Sequence, residues 1–486
     1  MSNQQANTPL FTTLLNHAKK QPVPFHIPGH KKGKGVDPEF RAFIGSAAFQ
    51  IDLINISPLD DLHHPQATIQ EAQELAAHLF HADHTFFSVQ GTSTAIMTMI
   101  LSICKPGDKI IVPRNIHKSV LSALILADAI PIFIQAEIDK ELLISHNITT
   151  EQVEQTLKQH PDAKAILLIH PTYYGVVCNI VEVVKMAQQY HIPVLVDEAH
   201  GALFSFHKDL PISAMEAGAD LAATSLHKLG GSLTQSSLLN LKQTRVNPQH
   251  VQSIFNMMTT TSTSYLLLAS LDTQRRYLAL YGRQSIDQTL QLAKYARDEI
   301  NQIPGLYCPD EQLYEYHSVH QVDPTKLIIH LEQMEITGHE AEIWLRQKHR
   351  IEVELSDLHN ILCIISIGDD QESINQLLFA LRDLSSHFYQ QSQNRVQHIT
   401  IPDLPELVMS PREAFYHTQV RSLPLEQSIH YVSAESITIY PPGIPILLPG
   451  ERITREHILY IKENLEAGLP VQGTLDPEVT TIRVIY

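Results

Sequence analysis

AKAILLIHPTYYGVVCNIVEVVKMAQQYHIPVLVDEAH, residues 163–200, sets the architecture of the chain. Its first segment, AKAILLIHP (163–171), is aliphatic without alternation, which predicts a strand buried on both faces. NIVEVVKMAQQYH (179–191) spaces its apolar residues along one helical stripe. IPVLVDEAH (192–200) is a second buried strand, and it stops at two carboxylates and a histidine. Strand, crossover helix and strand make a parallel unit, because two parallel strands need a long connection between them.

The same alternation extends outward. TIQEAQELAAHLFHA (68–82) places Ile69, Ala72, Leu75, Ala76 and Leu79 on one helical face, and HTFFSVQGTSTA (84–95) reads as strand, turn and helix start. KIIVP (109–113), AIPIFI (129–134) and ADLAATSLHK (219–228) are predicted strands. HKSVLSALILA (117–127) and ITTEQVEQTLKQH (148–160) are predicted helices, the latter capped by Thr149 or Thr150. The expected fold class is therefore α/β, with a mostly parallel sheet covered on both faces and ligands at the carboxyl ends of its strands.

A chain of 486 residues exceeds one hydrophobic core. Four parts are expected: an N-terminal arm (1–60), a large α/β domain (61–272), a linker helix with a small α/β domain (273–390) and a C-terminal domain (391–486). The linker is SLDTQRRYLALYGRQSIDQTLQLAKYARDEINQI (270–303), read as one long helix. The last boundary falls in the polar, proline-punctuated QQSQNRVQHITIPDLPE (390–406), and YPPGIPILLPGE (440–451) is expected to be a rigid, irregular loop.

A formal net charge of −17 argues against a nucleic-acid partner. An acidic surface can steer a cationic small molecule, or simply keep the protein soluble. The four cysteines, Cys104, Cys178, Cys308 and Cys363, lie far apart without a CxxC pair, which suits reduced thiols in the cytoplasm. The opening MSNQQANTPLFTTLLNHAKKQ lacks the basic start and apolar core of a secretory leader. SALILADAIPIFIQA (122–136) is interrupted by Asp128 and Pro131, so no membrane span is expected. No HExxH or tight His/Cys cluster occurs among the 28 histidines, so no metal is expected either.

Three polar clusters fall at predicted strand ends: Gly91-Thr92-Ser93, Asp197-Glu198-Ala199-His200 and Ser225-Leu226-His227-Lys228. Each has an ordinary reading. Lys228 alone fits a surface lysine after a strand, and because it precedes Gly230 and Gly231 it is not a phosphate-loop lysine. Asp197 alone fits a helix cap or a metal ligand, Gly91-Thr92-Ser93 an ordinary helix start, and His117 a capping histidine. Together they offer an anion cradle at a helix N-terminus, a flat platform, a carboxylate and an amine. Those are the four contacts pyridoxal phosphate requires: phosphate anchor, ring platform, pyridine-nitrogen partner and Schiff-base lysine.

The chain also resembles the bacterial ornithine/lysine/arginine decarboxylases of pyridoxal-phosphate fold type I, in their short form without an N-terminal receiver-like domain. The matching stretches are PFHIPGHKKG (24–33), GTSTA (91–95), PRNIHKS (113–119), VDEAHG (196–201), SLHKLGGSLTQSS (225–237), MMTTTSTSY (257–265) and ITIYPPGIPILLPGE (437–451). By position, the resemblance implies that Lys228 forms the Schiff base, Asp197 binds the pyridine nitrogen and His117 stacks on the ring. It implies that Gly91, Thr92, Ser93, Ser225 and His227 surround the phosphate, and it leaves His200 between ring and substrate carboxylate. Thr260 and Thr261 match a segment that reaches the neighbouring subunit's phosphate, which implies a homodimer or higher homo-oligomer with shared sites. The family's TTSP reads TTST here, with Thr263 in place of proline.

The activity so implied is decarboxylation of a basic amino acid, L-arginine to agmatine for polyamine biosynthesis, with lysine or ornithine as the alternative. His227 or Lys228 would return a proton to the α-carbon. Glu451, or Asp60 or Asp61, would receive the distal cation; each also fits a solvated loop carboxylate. An aminotransferase or β-eliminating lyase on the same fold, a non-catalytic cofactor-binding homologue and a cofactor-free aldolase are the competing readings.

Overall fold

A computed structural model describes residues 3–390, 402–439, 443–466 and 468–486. It groups the chain in two units, Met1–Ser102 with Leu195–Ile286, and Ile103–Val194 with Asp287–Tyr486.

In the first unit the strand order is His84–Ser88, Ser237–Leu241, Leu221–Thr224, Val194–Asp197. Val194–Asp197 runs parallel to Leu221–Thr224, with Asp197 opposite Ala223. Ser237–Leu241 is antiparallel to both its neighbours. Its five residues, SLLNL, are all buried, a short apolar run that the alternation of strands and helices passes over. Helix Gly91–Ile103 starts where Gly91 takes a φ of +75°, a conformation that a residue without a Cβ enters at little cost. The predicted strand ADLAATSLHK is shorter than expected. Strand ends at Thr224, Ser225 is extended, and Leu226–Leu229 forms one helical turn that carries His227 and Lys228. Gly230 closes that turn, since a Cβ there would lie 2.8 Å from the Leu226 carbonyl oxygen. The pair of glycines thus makes room for the chain's own turn.

The long helix starts earlier than predicted, running from Tyr265 to Ile300. Its buried Asp272 accepts the backbone N–H groups of Leu10 (3.1 Å) and Phe11 (3.2 Å) at the start of helix Pro9–Lys19. That helix has no side-chain cap of its own at Thr8, so Asp272 supplies the missing acceptor. Arg275 holds Asp272 at 3.0 Å and also donates to the Gln5 carbonyl at 2.8 Å.

In the second unit, Lys109–Pro113 lies between Ile130–Ile134 and Ala165–Ile169, and both pairings are parallel. The three helices that follow these strands carry the caps expected of their sequences. His117 accepts from the Ser119 N–H, Thr149 and Gln152 form a capping box, and Asn179 accepts from the Glu182 N–H. Further along, Lys326–His330 and Asn360–Ile364 pair antiparallel beneath helices Gly338–His349 and Gln371–Phe388, enclosing a core of Leu327, Ile329, Leu345, Ile361, Leu378 and Leu381.

The C-terminal stretch builds small antiparallel sheets around Ile437, Leu447, Ile461 and Ile482. Here the expected irregular loop is corrected. Ile444–Leu447 is a strand paired with Ile437–Ile439, because the proline of IPIL lies at a register irregularity where its missing N–H costs little. Tyr440, Pro441 and Pro442 of that predicted loop lie outside the described residues, as does most of the predicted boundary at 390–406. Among the described residues no helix is long and apolar enough to cross a membrane. The fold is α/β, and strands of the large sheet that are joined through helices pair in parallel, as the alternation predicts.

Candidate active site

The first unit gathers most of the predicted site residues at the carboxyl ends of its parallel strands. The Lys228 Nζ lies 2.8 Å from His200 Nε2. That contact joins the helical turn after one strand to the loop after its parallel neighbour, and it gives His200 a definite place that the sequence leaves open. Where the lysine carries the proton it donates, and His200 then accepts at Nε2 and keeps its hydrogen on Nδ1.

Asp197 ends its strand buried, and its Oδ1 accepts the Ala199 N–H at 3.1 Å. Side chains alternate along a strand, so Glu198 points to the opposite side. There Glu198 accepts the Ala214 N–H at 2.7 Å and the Thr224 hydroxyl at 2.9 Å. Burial pushes its carboxyl up to about 7, the two hydrogen bonds oppose that rise, and Glu216 and Asp197 add to it. Thr224 in turn lies 3.4 Å from the Asn240 amide, which accepts the Thr85 hydroxyl at 2.7 Å, so a buried polar row crosses the strands.

Three hydroxyls converge beside the lysine turn. Thr92, one residue into helix Gly91–Ile103, hydrogen-bonds Ser225 and lies 2.8 Å from Ser237 Oγ. All three residues are buried. Ser237 was given no role by sequence reasoning, although it closes the SLHKLGGSLTQSS stretch; its signal is its place at the first position of a buried strand. The hydroxyls can rotate to donate, and with the N–H groups at the helix start they fit a phosphate dianion. A carboxylate, an amine and this cradle within one unit fit pyridoxal phosphate.

His227 donates its Nδ1–H to the Ser236 carbonyl at 2.9 Å, since a carbonyl can only accept. Burial lowers its pKa despite that bond, and Lys228 lowers it further, so the ring is neutral with Nε2 as an acceptor. Ser93 is half-buried on the same helical turn as Thr92. Thr260 and Thr261 are exposed, and the Thr260 N–H donates to the Gln90 side chain at 2.7 Å, tying their loop to the residue before Gly91.

The two carboxylates expected to receive the substrate's distal cation, Asp60 and Glu451, are both buried with partners of their own. Asp60 is buried, and its carboxylate accepts N–H groups from Asp61 (2.9 Å), Gln66 (3.0 Å), Ala67 (2.8 Å), Ile69 (3.0 Å) and Gln70 (3.3 Å). It caps helix Thr68–Leu79, whose own N-cap position is alanine. Glu451, in the second unit, is 1% exposed and fully engaged. It accepts from Arg114 at 2.5 and 2.9 Å and from the Leu448 N–H at 2.7 Å. Burial raises its carboxyl and Arg114 offsets part of that rise. His117 also belongs to the second unit, at the start of helix Lys118–Ala127, with Nδ1 2.7 Å from the Ser119 hydroxyl. Among the described residues, no group of three His, Cys, Asp or Glu side chains is placed to hold a metal ion.

Comparison with known proteins agrees with this chemistry. Residues 8–373 match the family described as Orn/Lys/Arg decarboxylase, major domain, and residues 393–470 match its C-terminal domain. The chain is 56% identical over 482 residues to an arginine decarboxylase of Bacillus anthracis, covering 99% of this chain and 98% of that one. It is 55% identical over 483 residues to an arginine decarboxylase of Bacillus subtilis (strain 168), covering 99% and 98%. The crystal structure of the Francisella novicida lysine decarboxylase LdcF has the same fold, with a TM-score of 0.86 over 99% of this chain and 82% of that one at 22% identity.

Proposed function

Because the chain belongs to the Orn/Lys/Arg decarboxylase family, we propose that it removes the α-carboxylate of L-arginine as carbon dioxide and leaves agmatine. The far higher identity to arginine decarboxylases than to a lysine decarboxylase supports arginine over lysine. The observation that carries the chemistry is the Lys228 amine at 2.8 Å from His200, beside the buried hydroxyls of Thr92 and Ser225.

Pyridoxal phosphate, the cofactor this family uses, supplies when bound an electron sink for the pair left on the α-carbon. In this reading Thr92, Ser93 and Ser225 hold its phosphate at the start of helix Gly91–Ile103, and Ser237 orients the Thr92 hydroxyl. Asp197 would face the pyridine nitrogen, where a carboxylate can keep a proton in place. Lys228 would supply the amine that anchors the aldehyde. The bond from the α-carbon to the carboxylate breaks, carbon dioxide leaves without its electron pair, and a proton takes its place on the α-carbon. Lys228 and His200, hydrogen-bonded to each other, are the pair that would return it. The neutral His227, fixed by Ser236, shapes the wall of the cradle.

The exposure of Val23, Phe25, Ile27, Phe40 and Phe43 near the N-terminus, and of Met257 two residues before Thr259, supports a homodimer with shared sites. Thr260 and Thr261 are then the residues offered to the partner's phosphate. The four cysteines are buried free thiols, which supports a reducing compartment such as the cytoplasm. Agmatine formed there would enter polyamine biosynthesis.

The purified protein should be yellow, and borohydride should fix the cofactor to the peptide containing Lys228. Arginine, lysine and ornithine, each supplied alone, are scored as agmatine, cadaverine and putrescine. A colourless protein indifferent to added pyridoxal phosphate, or keto-acid formation without carbon dioxide release, would refute this function.

A further inference from the structure

We propose that Glu198 is a positioning residue: from the far face of the sheet it sets the spacing between the turn that carries Asp197 and His200 and the turn that carries Ser225 and Lys228. The role rests on the cofactor-binding reading given above, and every residue in it belongs to the first unit. The register of the strands separates two faces. Asp197 lies opposite Ala223, and Ala223 lies opposite Leu239, so these three share one face. Ser237, two residues before Leu239, falls on that face too, with the hydroxyl cradle. Glu198 and Thr224, each one residue further along, turn to the other face.

On that other face a polar row crosses the sheet. Glu198 accepts the Thr224 hydroxyl at 2.9 Å, the Asn240 amide donates to Thr224 at 3.4 Å, and Asn240 accepts the Thr85 hydroxyl at 2.7 Å. All four residues are buried. The second Glu198 oxygen accepts the Ala214 N–H at 2.7 Å. Its backbone is held as well, since its N–H donates to the Ala223 carbonyl at 3.0 Å and its own carbonyl accepts the Gly201 N–H at 3.0 Å. Glu198 therefore pins the turn 197–201, and Thr224 is the last residue before Ser225. Their one side-chain bond joins the two turns from behind, as the 2.8 Å contact of His200 with Lys228 joins them in front.

Apolar residues would also fill this layer, but they would not fix how far one turn stands from the other; a satisfied, directional row does. A site that must hold a flat ring between a carboxylate and an amine tolerates errors of only about 0.5 Å. The acid is retained here although burial pushes it up to about 7.

The test compares E198A, E198Q, T224V and the double variant E198A/T224V with the wild type at about pH 6, where the buried acid keeps most of its proton and glutamine matches it in charge. The readouts are the dissociation constant of pyridoxal phosphate by fluorescence, the visible circular dichroism of the bound cofactor and the thermal midpoint. E198A should weaken cofactor binding on the order of tenfold and reshape the dichroic band. T224V should move both in the same direction, and the double variant should bind no more weakly than E198A, because one bond is lost either way. E198Q keeps both bonds and should bind within about twofold of the wild type. An E198A that melts earlier yet keeps the wild-type constant and band would show a carboxyl that only stabilises, and would overturn the proposal. So would an E198Q as weak as E198A, or effects of E198A and T224V that multiply. Should E198A not fold, T224V, which removes one hydroxyl at nearly constant shape, decides alone: a wild-type constant and band there overturn the positioning role. Wild-type protein that binds no pyridoxal phosphate would instead overturn the functional reading.

Discussion

Replacing Glu198 by Gln should make the protein more stable in mild alkali and leave it unchanged in acid. The carboxyl is 2% exposed and pushed up to about 7, against an ordinary value of 4.5 in the unfolded chain. A folded-state pKa above the unfolded one means that the folded protein holds the proton more tightly. Below about pH 4.5 both states carry it and the group is neutral in the balance. From there to about pH 7 the unfolded chain releases its proton while the folded one retains it, so stability falls. Above about pH 7 the loss is complete, and it amounts to about 3 kcal/mol. Glutamine copies the protonated acid: its oxygen can accept from Ala214 N–H and its NH2 can donate to the Thr224 oxygen. Thermal midpoints of wild type and E198Q should therefore coincide near pH 5 and separate in favour of the variant by pH 8. A difference between them that is constant from pH 5 to pH 8 would refute the reasoning, because it would mean that Glu198 does not titrate in that window.

Asp272→Ala would strand the Arg275 guanidinium and remove the cap of helix Pro9–Lys19, so urea unfolding of the variant should show a loss of about 3–5 kcal/mol, much of it recovered when Arg275 is also replaced by Met. His200→Gln should lower kcat on the order of 10²–10⁴-fold while borohydride still labels Lys228; a kcat near wild type would remove His200 from the proton path.

The parts of the fold legible in the sequence are those set by local pattern. Continuous aliphatic runs such as AILLI (165–169) and VLVD (194–197) announce buried strands, and Thr149 with Gln152 announces a capped helix. Pattern fails where local and global signals compete. Ile444–Leu447 is a strand although its proline and flanking glycines signal a loop, because pairing with Ile437–Ile439 outweighs the local preference.

At the site, residue types and their places after strands were enough to bring Lys228, Thr92 and Ser225 forward, and the structure adds that Lys228 rides on a helical turn. What stayed hidden are partners far away in sequence. Nothing near Glu451 reveals that Arg114, 337 residues earlier, consumes its charge. Nothing near Asp60 shows that five amides close around it. The state of Glu198 is likewise invisible, since its proton affinity comes from burial that only the folded chain creates.

The bond from Asp272 to the start of helix Pro9–Lys19 spans 262 residues, and this separation has a consequence in time. On a ribosome adding roughly 5–20 residues per second, Asp272 emerges at least roughly 13 seconds after Leu10. Through that interval the first helix has no acceptor for its leading amides except water. A short amphipathic helix without a cap is marginal alone, so the N-terminus leaves the exit tunnel early and takes its final shape late.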